Sequence, residues 1–371
     1  MSLFEEFKPI SKAEWFSKIE KDLKGKPISD LIIDIGGINI SPFYHAEEAM
    51  NRPAPIPQQA GWEIGEDVLV NDDLRNANKK LLAALEAGVN APGLVLNNNI
   101  TARDLDILLG QIDLTIISIH FYFAANYPRP LGLLSHFIQF ITDNSLPPEK
   151  IRASFNWGDH HLGTNEIKDI LSQVKNLKSN LSVLPVNGLD DVLEKNLVKE
   201  LVEILRKGES YLQQHLSENT SPGLINKHIM FSISIGKNYF LQIAKIRALY
   251  LLWANVLKSY QIAGEMPFLD AHISLSSQTN ASSANMIAAT TQAMSAIVGG
   301  VHRLTVVPAD AFTGGVSTFS QRIARNIQHI LKMESHFDWV SDPAAGSYFI
   351  EKLTLDLAER AWDAFIGHKI K

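Results

Sequence analysis

Polar residues follow many of the short apolar runs in this sequence, and in folds of parallel strands the reactive groups lie at the carboxyl ends of the strands. The stretch GDHHLG, residues 158–163, contains imidazoles and a carboxylate that could bind a metal ion or act as a general base. Adjacent side chains point in different directions, so we do not expect His160 and His161 to share one ion. We therefore predict an ordinary polar loop here. The other candidates at run ends are Asn97 to Asn99, Asn156, Asp159, Asn187, Asp190, Asp191, Lys237, Asn238, Asp270, Asp310 and Asp342.

The remaining side chains that could take part in catalysis or binding can also be explained by a purely structural role. Asp190 and Asp191 suit the first turn of a helix, where the helix dipole favours carboxylates. His272 falls inside a predicted strand, where we expect it to pack or to bond within the sheet. Three cations on one predicted helix are expected on a solvated face or a subunit surface, and these are Arg322, Arg325 and Lys332. Residue types and spacing thus identify no catalytic, cofactor-binding or metal-binding residue in this chain.

Composition excludes several classes of function. The 371 residues include no cysteine, which excludes disulfides, thiolate metal sites, iron–sulfur ligation and cysteine nucleophiles. The formal net charge of −6 predicts no binding to nucleic acid or to an anionic membrane. The first residues lack the apolar core of a signal peptide, and no stretch approaches the roughly 20 apolar residues of a membrane span. We therefore expect a cytoplasmic protein.

Strand-like runs alternate with helical runs along most of the chain. The clearest helical stripe lies between Tyr239 and Leu257 and is expected to be a core helix. About eight strands with intervening helices predict an α/β protein with a (β/α)8 barrel, which typically needs about 250 residues. A doubly wound open sheet is the alternative, although no glycine-rich phosphate loop follows any strand. The predicted strands are residues 93–99, 114–121, 151–157, 181–187, 229–236, 270–277, 302–310 and 336–342.

In the last of these units, the residues that end the strand and begin the helix are easily recognised. Pro343 cannot donate to a strand ladder, Gly346 permits a sharp bend, and Ser347 is a suitable N-cap for the helix that follows. Residues 342–362 are therefore predicted to turn from the eighth strand into the eighth helix.

The first 60 residues differ from the rest and are predicted to form an N-terminal arm. The arm contains a helix from Ser11 to Leu23 and then a hairpin that turns at Gly36 and Gly37. Residues 51–61 carry three prolines and are expected to form an extended connector. Residues 61–371 are assigned to the barrel, beginning with a helix from about Asp72 to Ala87.

Several segments, taken in order, resemble the methylmalonyl-CoA mutase family, and the resemblance is collinear from about residue 12 to residue 367. It implies a (β/α)8 barrel that threads a CoA ester along its axis. It also implies a separate C-terminal domain that holds adenosylcobalamin for a radical rearrangement of methylmalonyl-CoA and succinyl-CoA. The segments are EWFSKIEKDLKGKPISDL (14–31), INISPFYHAEE (38–48), SIGKNYFLQIAKIRALYLLW (234–253), QAMSAIVGGVHRLTVVPAD (292–310), FSQRIARNIQHILKMES (319–335) and DPAAGSYFIEKLT (342–354).

Two active-site motifs of the family are absent. The family's active chains carry a tyrosine over the reacting centre, whereas residues 61–67, GWEIGED, have none. Active chains also have a tyrosine and a histidine after the fourth strand. Residues 186–191, VNGLDD, keep only the glycine of that motif, Gly188.

A third motif, on the sixth strand, is altered. Residues 274–282, SLSSQTNAS, keep Gln278 and Thr279, but serines occupy the places of the family's arginine and histidine. If His272 is aligned with that histidine instead, Asp270 takes the place of the arginine. A carboxylate there would not bind an anionic group of the substrate. No catalytic residue of the family therefore transfers to this chain.

The resemblance is greatest to the small subunit of heterodimeric mutases, a chain that lacks the active-site groups. It implies a non-catalytic component of an isomerase whose adenosylcobalamin lies on a large catalytic subunit, with no cofactor bound by this chain. The cobalt-binding motif D-x-H-x-x-G has no counterpart beyond a chance likeness at Asp159 to Gly163. The alternatives are a catalytic barrel served by a separate cobalamin-binding polypeptide, or an acyl-CoA-binding module. In isolation the chain is expected to self-associate through its vacant face.

Overall fold

A ring of eight parallel strands forms the centre of the protein in a computed structural model. The structure describes residues 10–35, 38–45, 47, 60–124, 127, 130–158, 160–175, 177, 180–188, 196–214, 220–262 and 266–367. The barrel strands are β3 (Glu63–Gly65), β4 (Asp67–Val70), β5 (Gly93–Leu96), β6 (Ser118–Phe123), β7 (Arg152–Asn156), β8 (Asn180–Ser182), β9 (Leu184–Asn187), β10 (Ile229–Ile235), β11 (Phe268–Ile273) and β12 (Arg303–Thr305).

The ring closes because two of its strands each belong to two sheets. One sheet has the order β3-β12-β11-β10-β9 and the other has the order β4-β5-β6-β7-β8. A single residue, Glu66, separates β3 from β4, and Val183 separates β8 from β9, so each pair is one interrupted strand. The first strand pairs with the last in parallel, with Glu63 opposite Arg303. The predicted (β/α)8 barrel is confirmed, and the open-sheet alternative is not.

Two strands of the prediction were misassigned. The first barrel strand is GWEIGEDVLV at residues 61–70, where the sequence analysis placed no strand because charged residues and glycines interrupt it. Conversely, the predicted eighth strand at residues 336–342 forms turns. Trp339 is 72% exposed there and His336 has a φ of +53°, which is incompatible with an extended strand. Once β12 has paired with β3, the ring has no free edge for a further strand.

Helices cover the outside of the barrel. Their apolar faces pack on the strands, where Leu81, Leu105 and Leu171 are among the buried side chains. Ser347 caps the last helix as predicted, because its hydroxyl accepts a hydrogen bond from the Ile350 amide. The helices are α1 (Lys12–Asp22), α2 (Leu74–Glu86), α3 (Ala102–Leu108), α4 (Pro130–Asp143), α5 (Thr164–Val174), α6 (Leu197–Gln213), α7 (Pro222–His228), α8 (Tyr239–Ser259), α9 (Ser282–Gly299), α10 (Thr318–His329) and α11 (Tyr348–Gly367).

Helix α8 is the core helix that the sequence predicts. Within the described ranges it alone is long and apolar enough to cross a membrane, and most of it is buried inside the protein. It packs between α9 and α11 and against α6. Its two buried cations are paired: Lys245 contacts Glu200 of α6 at 3.3 Å, and Arg247 contacts Glu351 of α11 at 2.9 Å.

The N-terminal arm has the predicted helix and hairpin strands. Strands β1 (Ile33–Ile35) and β2 (Ile38–Ile40) pair antiparallel. Ile38 and Ile40 are buried, and β2 packs on α11 of the barrel. The turn residues Gly36 and Gly37, together with the connector at 51–59, lie outside the described residues.

Candidate functional site

Five side chains from four different strands meet inside the barrel, and we refer to them as the charge cluster. Parallel strands direct alternate side chains inward, so residues far apart in sequence share one layer of the interior. Arg303 and Asp270 are fully buried there, with no solvent exposure, so their charges must be balanced within the protein. The charge cluster consists of Asp67 (β4), Tyr122 (β6), Asp270 and His272 (β11), and Arg303 (β12).

The guanidinium of Arg303 is committed to its neighbours. Nη1 donates to Asp270 Oδ1 and to Tyr122 Oη, both at 2.8 Å. Nη2 donates to Asp67 Oδ1 at 3.2 Å, and Nε donates to the carbonyl of Ala91 at 2.8 Å. Tyr122 in turn donates to Asp270 Oδ2 at 2.6 Å. An arginine bonded in this way has little capacity left to bind an incoming carboxylate or phosphate.

His272 is the second cation of the cluster. Its Nε2 lies 3.3 Å from Asp67 Oδ2, and its Nδ1 lies 3.5 Å from Asp270 Oδ2. Burial would lower the pKa of His272, but the two carboxylates outweigh it and raise the pKa above its ordinary value. Burial likewise opposes ionisation of Asp67, yet His272 and Arg303 lower its pKa to about 2. The His272 ring thus lies within ion-pair distance of carboxylates on two strands, and both partners are in the barrel interior.

A second polar layer lies toward the amino ends of the strands. His120 is buried between the hydroxyls of Ser154, 2.7 Å from Nδ1, and Ser118, 3.1 Å from Nε2. Burial, reinforced by the charge of Arg303, holds the pKa of His120 well below its ordinary value. Beside it, Glu63 accepts hydrogen bonds from Ser118 at 2.6 Å and from Arg152 at 2.8 Å. This layer is therefore neutral apart from one paired carboxylate and one arginine.

A cavity of about 830 Å³ opens at the amino ends of the strands. His120 and Ser154 are among its lining residues, whereas no member of the charge cluster lines it. Phe268, which stacks between His120 and His302 at centroid distances of 5.4 and 5.6 Å, forms part of its wall. The cavity thus stops below the charge cluster, at the end of the barrel opposite to the usual active-site face.

The polar residues predicted at strand ends are not brought together into one site. Most of them bond to near neighbours: Asn156 with Asn187, Asn97 with Asn71, Asn98 with Asp72, His160 with Glu166, Asp310 with Ser317, and Asp342 with Arg247. Asn238 caps α8. Only Asp270 belongs to the charge cluster. Among the residues that the structure describes, no three histidine or acidic side chains are placed to hold a metal ion, while Asp159, Asp190 and Asp191 lie outside them.

The other residues that the sequence analysis discusses also form contacts within the chain. Gln278 bonds the carbonyl of Pro308 at 2.9 Å, and Thr279 bonds Asn285. Of the three cations on and after α10, Arg322 is exposed, whereas Arg325 and Lys332 are partly buried and have partners within the chain. Arg325 pairs with Glu66 at 2.8 Å, and Lys332 donates to the carbonyl of Trp62 at 2.9 Å.

Sequence reasoning missed most of the interior residues. His120 and Arg303 lie inside predicted strands and Tyr122 directly follows one, so each was explained by a buried strand, whereas Asp67 lies at residues 61–70, where no strand is predicted. A usable signal existed in β6, SIHFYF, where Ser118, His120 and Tyr122 occupy every second position. Polar groups at that period point to the same side of a strand, which here is the barrel interior.

Fold and site together define a (β/α)8-barrel protein whose axis is filled by a bonded charge cluster. The family model for methylmalonyl-CoA mutase matches residues 195–369. A methylmalonyl-CoA mutase small subunit of Porphyromonas gingivalis is 32% identical and aligns with 98% of this chain and 64% of its own length. A probable small subunit of Mycobacterium tuberculosis is 27% identical over 89% of this chain and 58% of its own length.

A methylmalonyl-CoA mutase of Cereibacter sphaeroides is 37% identical, but over only 45% of this chain and 24% of its own length. The chain belongs to the methylmalonyl-CoA mutase family. It spans less than two thirds of the length of these curated relatives.

Proposed function

We propose that this chain is the small subunit of a heterodimeric, adenosylcobalamin-dependent methylmalonyl-CoA mutase, and that it is itself non-catalytic. In this role it stabilises a large catalytic subunit by burying surface against it. The observation that carries the proposal is the commitment of Arg303 to Asp67, Asp270, Tyr122 and the Ala91 carbonyl. These groups fill the axis along which the family's active barrels, by resemblance, thread their substrate.

The described residues do not fit a resident cobalamin. The nearest likeness to the cobalt-binding motif lies around His160, in the loop before α5, and the Nε2 atom of His160 is 2.9 Å from Glu166 in the first turn of that helix. That histidine is part of a surface ion pair at a helix start and not of a corrin-binding surface. We propose that the cofactor is bound by the partner subunit.

Exposed apolar side chains support a protein partner. Around the carboxyl ends of β11 and β12, Leu275, Phe312 and Phe319 are each about half exposed. After α10, Met333 and Trp339 are 70% and 72% exposed. Apolar groups exposed in this way are common at protein–protein interfaces, which also accommodates the expected homodimer of the isolated chain.

Copurification and calorimetry test the proposal. We expect the chain, when co-expressed with the large subunit encoded by the same organism, to form a stable one-to-one complex. Alone, it should neither bind adenosylcobalamin nor convert methylmalonyl-CoA. Turnover by the isolated chain, or failure to associate with the large subunit, would contradict the proposal.

The amino-end cavity favours a second candidate function, binding of an acyl-CoA ester without catalysis. Its volume of about 830 Å³ and the presence of Lys227 and Lys332 in its lining suit an anionic ligand. Calorimetry of the isolated chain with methylmalonyl-CoA separates this candidate from the first. Saturable binding that Lys227→Met weakens would support it, and the absence of heat would exclude it.

A catalytic barrel served by a separate cobalamin-binding polypeptide is less well supported. Such a barrel needs a tyrosine, an imidazole and a guanidinium that are free to contact substrate. Tyr122, His272 and Arg303 are present in the interior, but they bond to one another and to the two aspartates.

A further inference from the structure

The charge cluster contains more negative charge than its arginine can balance. Asp67 and Asp270 each direct one carboxylate oxygen to Arg303 and the other oxygen to His272. The buried carboxylate of Asp270, the partly buried carboxylate of Asp67 and one guanidinium leave a net charge of −1. A buried net charge is costly unless a further cation compensates it, and the imidazole is the group in position to do so.

The geometry of the imidazole specifies its protonation. Both ring nitrogens of His272 face carboxylate oxygens, at 3.3 Å and 3.5 Å. A neutral imidazole has only one N–H, so its other nitrogen would direct a lone pair at a carboxylate oxygen. Only the doubly protonated ring makes both of these contacts electrostatically attractive. The charges then sum to zero, with two cations and two anions.

The contacts of His272 also join strands that are not hydrogen-bonded to each other. His272 lies on β11, and Asp67 lies on β4, while the strand between them in the ring is β12. We propose that His272 is a proton-operated lock of the barrel interior: its imidazolium ties β11 to the first strand across β12, and loss of the proton loosens that tie. The proposal concerns this chain alone and does not depend on a partner subunit.

The charged and titratable groups around His272 shift its pKa in opposite directions. The two carboxylates raise its pKa, whereas burial and the positive charge of Arg303 lower it, and the carboxylates prevail. Because the pKa is raised in the folded state, the stabilisation is fully present below the ordinary value of 6.5. It is lost as the pH rises through the raised value. The groups facing His272 are Asp67 from β4, His120 and Tyr122 from β6, Asp270 from β11 and Arg303 from β12.

The deciding measurement is a pH titration of the histidine ring signals by NMR in the intact chain, with His272 assigned by its disappearance in His272→Gln. We expect His272 to carry both ring protons at pH 6.5 and to titrate above that value. His120, which is buried without a carboxylate hydrogen bond, is an internal reference and should stay neutral at the same pH. A neutral His272 ring at pH 6.5 overturns the proposal.

Substitutions at Asp67 and His272 distinguish the proposed lock, which depends on protonation of His272, from an ordinary ion pair. In Asp67→Asn one of the two carboxylates is lost at constant size, so the titration of His272 should move down toward 6.5. The wild-type urea midpoint should fall as the pH rises above 6.5, and that part of the fall should be absent in His272→Gln. Glu166→Gln is the matched control, because it removes an exposed histidine–carboxylate pair at 2.9 Å and should retain the wild-type pH dependence. Equal pH dependence in wild type and His272→Gln also overturns the proposal.

Discussion

The interior of this barrel depends on single residues that let charged groups come close together. Gly93 is the clearest case. It lies opposite Asp67 in the strand pairing, and a Cβ atom at this position would come within 2.2 Å of Asp67 Oδ1 and 2.8 Å of the Tyr122 ring. The glycine is therefore required by the charge cluster packed over it and not by an unusual backbone angle.

Gly93→Ala should destabilise the protein by about 1–3 kcal/mol, because the added methyl group displaces buried hydrogen-bonded side chains. Urea unfolding monitored by circular dichroism would measure the change. Gly132→Ala in α4 is the control, since nothing lies within 4 Å of its Cβ position, and it should be neutral or slightly stabilising. Equal effects of the two substitutions would show that the cluster does not constrain Gly93.

At this scale the sequence predicted little of the site. Asp270 and His272 are among the residues singled out from the sequence, whereas Arg303 is not, because a buried charge inside an apolar run has no local signature. Tyr122 has one, since Ser118, His120 and Tyr122 occupy every second position of β6. Apart from the Arg303–Asp270 pair, their partners come from strands more than 100 residues away, as in the hydrogen bond from Tyr122 to Asp270. Only the closed ring brings them together, so spacing along the chain can indicate which side chains of one strand point inward but not which of them pair.

At the scale of elements, α6 and α8 are held together by a buried ion pair as well as by apolar contacts. Lys245 and Glu200 are 3% and 1% exposed, and the ammonium group of Lys245 also donates to the Ser234 carbonyl of β10 at 2.7 Å. The pair therefore links two helices to the barrel wall.

Lys245→Met should cost about 3–5 kcal/mol, because it leaves Glu200 as a buried carboxylate without its cation. The double variant Lys245→Met with Glu200→Leu removes both charges and should recover most of that loss. Lys258→Met, at an exposed position of the same helix, should change stability by less than about 0.5 kcal/mol. A double variant as unstable as the single one would contradict this account.

The sequence predicts secondary structure well where a periodic apolar pattern extends over many residues, and poorly where strands are short. Helix α8 and the turn at Gly346 and Ser347 were predicted correctly from local pattern alone. The pattern does not indicate the first strand, since Gly65 and Glu66 interrupt it. It does indicate a strand at residues 336–342, because aromatic and aliphatic residues there favour burial. Trp339 is in fact exposed. Ring closure decides both cases, and no local window contains that information.

For the whole molecule, the arm and the barrel form a packed unit through β2. Ile38 is 1% exposed, and Tyr44 packs edge-on against Phe349 of α11 at a centroid distance of 5.7 Å. By contrast, helix α1 has no buried residue among its own positions. The hairpin, and not the helix, thus anchors the arm.

Ile38→Ala should weaken this anchor by about 2–5 kcal/mol, the usual cost of removing a buried isoleucine side chain. Limited proteolysis should then cut within the first 60 residues before the barrel is degraded. Ile33→Ala, at a position 61% exposed on the neighbouring strand, is the control and should leave the digestion pattern unchanged. Faster loss of the whole chain, without prior release of the arm, would contradict a separate anchor.

The members of the charge cluster depend on one another, and this restricts how lineages carrying it can mutate. Without Arg303, two inward carboxylates would face a single imidazole, and without either aspartate a cation would lose half of its partners. Each single step toward a hollow barrel therefore passes through a less stable protein. A return from the filled axis to a hollow barrel would therefore need several simultaneous replacements, and no single replacement would achieve it.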